Sequence, residues 1–278
     1  MLCIPSYLGR DAFIFIENYK RKDKIMFDFD RRRLFIILGI MVLVNVLLGG
    51  RSLESIIFAL PGVIVAMTFH EFAHAYAAYK CGDSTAKFAG RMTLNPLKHF
   101  DLWGIVMFAI AGFGWAQPVP INPNNFENYR KGCFWTSIAG VLMNYCMAFV
   151  LYPLYLVIAI YLCPLVAGTY LEIFLKYLFW GMFSCSLSFC VFNLLPLYPL
   201  DGFRVVDAVN TTRGKVYQFL RQYGYYILLG LILVHAFSDT IPFLAYVDVL
   251  GYVLTFAVEF FGRPITLLWD WIFSLIVH

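Results

Sequence analysis

The chain has 278 residues, 61% of them hydrophobic and 14% charged, with a mean hydropathy of +0.74. Soluble domains run about 45–50% apolar and about 25% charged, so this composition excludes an ordinary water-soluble domain and indicates a polytopic membrane protein. The net charge of +4 does not signal nucleic acid, because the 21 Lys and Arg follow the loops between apolar runs and form no aromatic-interleaved patch. Seven cysteines, one of them Cys81, are scattered singly with no C-x-x-C pair. Their odd number and spacing argue against both a disulfide framework and a cysteine zinc site.

Residues 1–33 read as a charge-rich, amphipathic lead-in lying on the membrane, ending in Arg31, Arg32 and Arg33 on a cytosolic flank. No cleavable signal peptide is expected there, since Arg10 and Asp11 interrupt the first apolar run. Residues 34–278 then form the transmembrane domain, with 34–50 as the first crossing. From Leu53 to Lys80 follows an apolar run that contains His70, Glu71 and His74. On a helix, positions i and i+4 stack on one face, so His70 and His74 present two imidazoles to one point. Glu71 lies about 100° round the axis, beside that point. This is the H-E-x-x-H pattern, in which two neutral imidazoles bind zinc and the glutamate acts on a water. A carboxylate inside a spanning helix costs about 2.5–3.5 kcal/mol on insertion scales, and such groups are functional by default. At 1.5 Å per residue His74 lies roughly 9 Å from the helix end at Lys80, recessed beneath the cytosolic surface but within reach of water. Pro61 is expected to kink the helix and Gly82 to stop it.

The stretch 83–131 is irregular. Its apolar piece around Val106 is too short to cross, and Pro118, Pro120 and Pro123 confine 114–126 to a sheet edge or loop. A small membrane-associated β element flanking the site cavity is expected here. Crossings follow over 132–163, 171–195, 222–238 and 241–261, and 264–278 reads as an interfacial or short final helix. Nineteen Lys and Arg then fall inside, with only Arg51 and Lys176 outside. The expected architecture is all-α, with about six transmembrane helices and both termini cytosolic.

Two histidines leave a catalytic zinc short of its usual three protein ligands. Asp201 follows a helix end broken by Pro196 and Pro199 on the same side as His74. It stands out as the candidate third ligand, and capping of the next helix competes for the same carboxylate. Asn193 and Asn144 have a competing role as hydrogen-bonding glue between helices.

At His70-Glu71-Phe72-Ala73-His74, and at Asn193-Leu194-Leu195-Pro196 running to Leu200-Asp201-Gly202, the chain resembles the site-2 protease family of intramembrane zinc metalloproteases. Its loops are similar to the compact bacterial and archaeal branch that carries no PDZ or CBS domain. The resemblance covers about 60–212, within a catalytic core of about 53–212. It implies Zn2+ held by His70, His74 and Asp201, Glu71 as general base, and Asn193 against the substrate backbone. Asn144 matches a family element usually written G-P-x-x-N, which here lacks its proline: Gly140-Val141-Leu142-Met143-Asn144. Trp115, Gln117 and Val119 are further candidates for holding a substrate strand by backbone pairing. The expected partners are membrane proteins or signal peptides as substrates, and the lipid bilayer. Two other classes fit less well: a protease-like protein that binds membrane segments without cleaving them, and a zinc transporter. The transporter would need a ligand relay to the outer face, where Glu54, Glu172 and His235 are all that is on offer.

Overall fold

The computed structural model describes residues 53–101, 104, 116–238 and 241–276. The expected first crossing at 34–50 and the candidate Trp115 lie outside them. Eight α-helices occur among the described residues: α1 (Leu53–Lys80), α2 (Thr85–Phe88), α3 (Tyr129–Val157), α4 (Tyr170–Leu194), α5 (Asp201–Val209), α6 (Lys215–Ser238), α7 (Pro242–Ala245) and α8 (Val249–Ile276). Four stretches are long and apolar enough to cross a membrane: Phe58–Lys80, Tyr129–Val166, Tyr170–Leu194 and Val249–Ile276.

Helix α1 runs unbroken through Pro61. It stops where expected: Gly82 takes φ +107°, which L side chains rarely adopt, and the Asp83 N–H turns back to the Ala78 carbonyl. Helices α1, α3 and α4 form the site-bearing bundle. Apolar side chains gain little by leaving lipid for each other, so close packing of small residues carries much of the association. A methyl at Gly62 would sit 2.7 Å from the Gly181 carbonyl oxygen, which shows how closely α1 and α4 approach. On α3 a row of four-residue steps (Gly132, Thr136, Gly140, Asn144, Ala148) is buried. Asn128 caps this helix, its side chain accepting from the Lys131 N–H at 3.0 Å.

The described part of the β element differs from expectation. Among the described residues there is only an isolated antiparallel bridge between Phe100 and Ala116, extended by the Gln117 N–H to the His99 carbonyl at 2.9 Å. The prolines that predicted an edge also remove the donors a longer ladder would need.

The C-terminal partition is also corrected. Pro264 does not separate a crossing from a tail, because α8 is one helix of 28 residues with Pro264 inside it. Successive positions on α8 meet successive positions on α3: Phe261 lies beside Tyr145, Trp269 beside Phe149, and Asp270 accepts from the Tyr152 hydroxyl at 2.8 Å. Helix α8 therefore runs parallel to α3, whereas two further crossings after α5 would make it antiparallel. Helix α6 is not among the four candidate spans. Its Tyr217 ring stacks on Phe203, Gly224 abuts Tyr198, and Leu228 and Ile232 cluster with Leu200.

Candidate metal centre

Two elements bring three side-chain atoms to a common point. His70 Nε2 and His74 Nε2 from α1 lie 3.0 Å apart. Asp201 Oδ2, at the first residue of α5, is 3.0 Å from the former and 2.9 Å from the latter. The three side chains are 5–6% exposed, so hydration does not satisfy them. Asp201 reaches the pair because α4 ends at Leu194 and the chain doubles back. Gly202 abuts the Leu194 carbonyl so tightly that no side chain would fit. The Asp201 carboxylate makes no cap for its own helix. The capping alternative is not what the structure shows, and the carboxylate faces the two imidazoles instead.

The surroundings fix the tautomers. His74 Nδ1–H donates to the Thr136 carbonyl at 2.6 Å, which leaves Nε2 with its lone pair toward Asp201. At His70 the Asn144 amide lies 3.1 Å from Nδ1. Asn144 is fully buried and its Oδ1 has no partner. Exchanging amide oxygen and nitrogen lets Oδ1 accept from Nδ1–H and frees His70 Nε2 in the same way. Two nitrogen lone pairs and a carboxylate oxygen within 3.0 Å of one another repel unless a cation sits among them. The donor set therefore fits a metal ion with an open coordination position, and it is the one such group among the described residues.

Gly140 makes this approach possible. A methyl there would lie 2.5 Å from His74 Nε2 and 2.7 Å from His70 Nδ1. The α3 backbone thus forms the wall against which both rings rest.

Glu71 sits beside the triangle, its Oε2 accepting from the Val119 N–H at 3.0 Å. The segment carrying Val119 is held at both ends. Arg91 Nη2 donates to the Gln117 carbonyl at 2.5 Å. Asp83 accepts from the Asn122 N–H at 2.7 Å, Asn125 Nδ2 at 2.8 Å and the Thr85 N–H at 3.1 Å. Burial alone pushes the Asp83 carboxyl up, but these hydrogen bonds outweigh it and hold the group below its ordinary 3.8. A cavity of about 120 Å³ opens on the centre, lined by His70, Glu71, Val119, Asn193, Asp201 and Arg204 among others. Asn193 Nδ2 donates to the Phe189 carbonyl at 3.1 Å. Gln117 is exposed, with its backbone tied to His99 and Arg91.

Sequence reasoning missed Asp83, Arg91, Thr136 and Arg204. Asp83-Ser84-Thr85 is ordinary capping chemistry and could have been found; Thr136 acts through its carbonyl, which leaves no side-chain signal.

A glutamate beside two histidines and an aspartate, buried among helices of membrane-spanning length, defines a membrane-embedded metallopeptidase centre. The chain belongs to peptidase family M50, whose model matches residues 58–235. It is 40% identical over 171 residues to "Putative zinc metalloprotease YwhC" of Bacillus subtilis, covering 61% of this chain and 77% of that one. It is 25% identical over 192 residues to "Putative zinc metalloprotease Rip2" of Mycolicibacterium smegmatis, covering 66% and 69% respectively. No solved structure matches significantly. The resemblance to the site-2 proteases is borne out at the level of the family, and the chain is a multi-pass membrane metalloprotease.

Proposed function

We propose that this protein hydrolyses peptide bonds within or beside the transmembrane segments of membrane proteins, leftover signal peptides included. Zinc is held by His70, His74 and Asp201. The observation that carries the reading is the 2.9–3.0 Å convergence of those three donors next to Glu71 in a buried cavity.

Zinc, when bound, acidifies a water toward neutrality and polarises a carbonyl. Glu71 takes the proton from the attacking water on a carboxylate oxygen and returns it to the departing amide nitrogen. The Val119 N–H holds one Glu71 oxygen, so the base meets the cavity in a single orientation. Asn144 and the Thr136 carbonyl keep the two imidazoles in the metal-binding tautomer. Asn193 lines the cavity and offers an amide to the substrate backbone. With the Gln117 N–H and carbonyl and the Val119 N–H already bonded to His99, Arg91 and Glu71, a locally unwound substrate would meet this segment through the Val119 carbonyl and the Gln117 side chain. The candidate Trp115 lies outside the described residues. Lys80, Lys87, Arg91, Lys98, Arg130 and Lys131 fall in the sequence between the end of α1 and the start of α3, and by the positive-inside rule they support a site facing the cytosol in the cell membrane.

Co-expression with a membrane-anchored reporter tests this. Glu71→Gln is expected to lower cleavage by about 10²–10⁴-fold while the purified variant keeps its zinc. Cleavage at the wild-type rate would exclude the proposed base. The non-cleaving reading predicts an intact reporter with wild-type protein as well, and the transport reading predicts zinc uptake indifferent to the substitution.

A further inference from the structure

The segment after the catalytic core does not behave as a pair of crossings. Along α6 from Tyr217 to Ile232 the axis advances about 22 Å. A spanning helix would pass over that length from the end of α4 to its middle. Instead Tyr217 meets Phe203, Gly224 meets Tyr198, and Leu228 and Ile232 share one cluster with Leu200, Leu195 and Phe192, all at the α4–α5 turn and the adjoining end of α4. The middle of α4, at Phe183 and Leu187, is packed by α3 and α8. His235 at the end of α6 pairs with Asp248 just before α8 at 2.8 Å. Leu250 and Leu254 then join the same cluster as Phe192 and Leu195. Helix α8 thus starts at the level of the metal centre's own end of the bundle. It proceeds to Leu187 at Gly262 and to Tyr152 at Asp270, steadily away from that end.

Opposite its buried face α6 exposes Val216, Phe219, Tyr223 and Tyr226, 44–74% accessible and spaced three, four and three residues apart. One helix face of a valine, a phenylalanine and two tyrosines, with Lys215 at its start, is the composition of the headgroup–acyl boundary. The bundle it flanks is itself lipid-facing, so the same bilayer continues to this helix.

We propose that α6 lies along the cytosolic leaflet with this stripe in the lipid boundary, and that α8 then crosses to the opposite face, where the chain ends. The positive-inside rule does not oppose this, because no Lys or Arg follows Arg263. The inference does not depend on the catalytic reading.

Its test is parity. Epitopes inserted in the full chain after Gly214 and Ser238, and appended after His278, are probed in intact and permeabilised cells. The two inserted epitopes are expected on one side and the terminal one on the other. Any other pattern overturns the proposal. Should the Ser238 insertion fail to accumulate, the remaining pair decides alone, since two crossings put both on one side and a single crossing separates them. In vesicles with brominated acyl chains, Trp at Val216 and at Tyr226 should be quenched at nearly equal depth above the wild-type background. A depth difference near 15 Å, as in a helix along the membrane normal, or no quenching at either site, would overturn the lipid assignment.

Discussion

Helices α1, α3 and α4 and helices α6 and α8 pack by different rules. In the first group backbones meet through Gly62, Gly181 and Gly140, and polar atoms converge in the gap. In the second, bulky side chains interdigitate: Leu228, Ile232 and Leu250 in one cluster, and Phe261 and Trp269 of α8 against Tyr145 and Phe149 of α3 in another. The first arrangement fixes positions to fractions of an ångström and tolerates no added atom. The second fills space with side chains and tolerates substitution of matched volume, except at its own close approaches, Gly224 beside Tyr198 and Gly262 beside Leu187. Geometry is strict where atoms must converge on a metal, and loose where the helices need only stay together.

Exchanging glycine for alanine in the two regions should break them unequally. Gly140→Ala drives a methyl into both imidazoles, so zinc affinity should fall at least 100-fold, the upper end for disturbed ligand support. Gly230→Ala on α6 meets nothing within 4 Å. It should leave zinc and cleavage unchanged and stabilise the helix by up to about 1 kcal/mol. Zinc titration and thermal unfolding of both variants read the contrast, and equal losses would contradict it.

A smaller effect is expected at Asn144. Asn144→Leu keeps the branched heavy-atom outline but removes the partner of His70 Nδ1, so zinc affinity should drop about 10-fold. Asn144→Asp, which restores an acceptor, should recover most of it. A loss of fold stability without a change in affinity would make Asn144 mere packing.

The smallest effect concerns the loop that carries Val119. Because the folded Asp83 carboxyl lies below 3.8, its contribution is complete above the unfolded value. It disappears as pH falls through the folded one. Proteolytic nicking near Asn122 should therefore be constant at neutral pH and rise only below about pH 4. In Asp83→Asn, nicking should already be raised at pH 7, with cleavage of substrate reduced several-fold and zinc retained. Identical pH profiles for the two proteins would remove Asp83 from this role.

How much of this was legible in sequence follows the same division. His70, Glu71 and His74 declare themselves because ionisable groups in an apolar helix are costly, and Asp201 because prolines break the chain just before it. Gly140 and Asn144 could be named, but not the carbonyl of Thr136 one turn before Gly140, since a backbone acceptor leaves no trace in residue identity. The direction of α8 was hidden for an electrostatic reason. Beyond Arg263 there is no basic residue for topology rules to act on, so an inward and an outward helix give the same count. The β element was over-read because the prolines at 118, 120 and 123 mark an edge equally well whether or not a ladder stands beside it.

The central claim is that two imidazoles and a distant carboxylate form one metal centre with Glu71 beside it and not within it. Metal analysis of the purified full chain tests this most directly. One zinc per chain is predicted for wild type and for Glu71→Gln, and loss of that zinc in both His74→Ala and Asp201→Ala. Retention of stoichiometric zinc after removal of Asp201, or its loss in Glu71→Gln, would contradict the account.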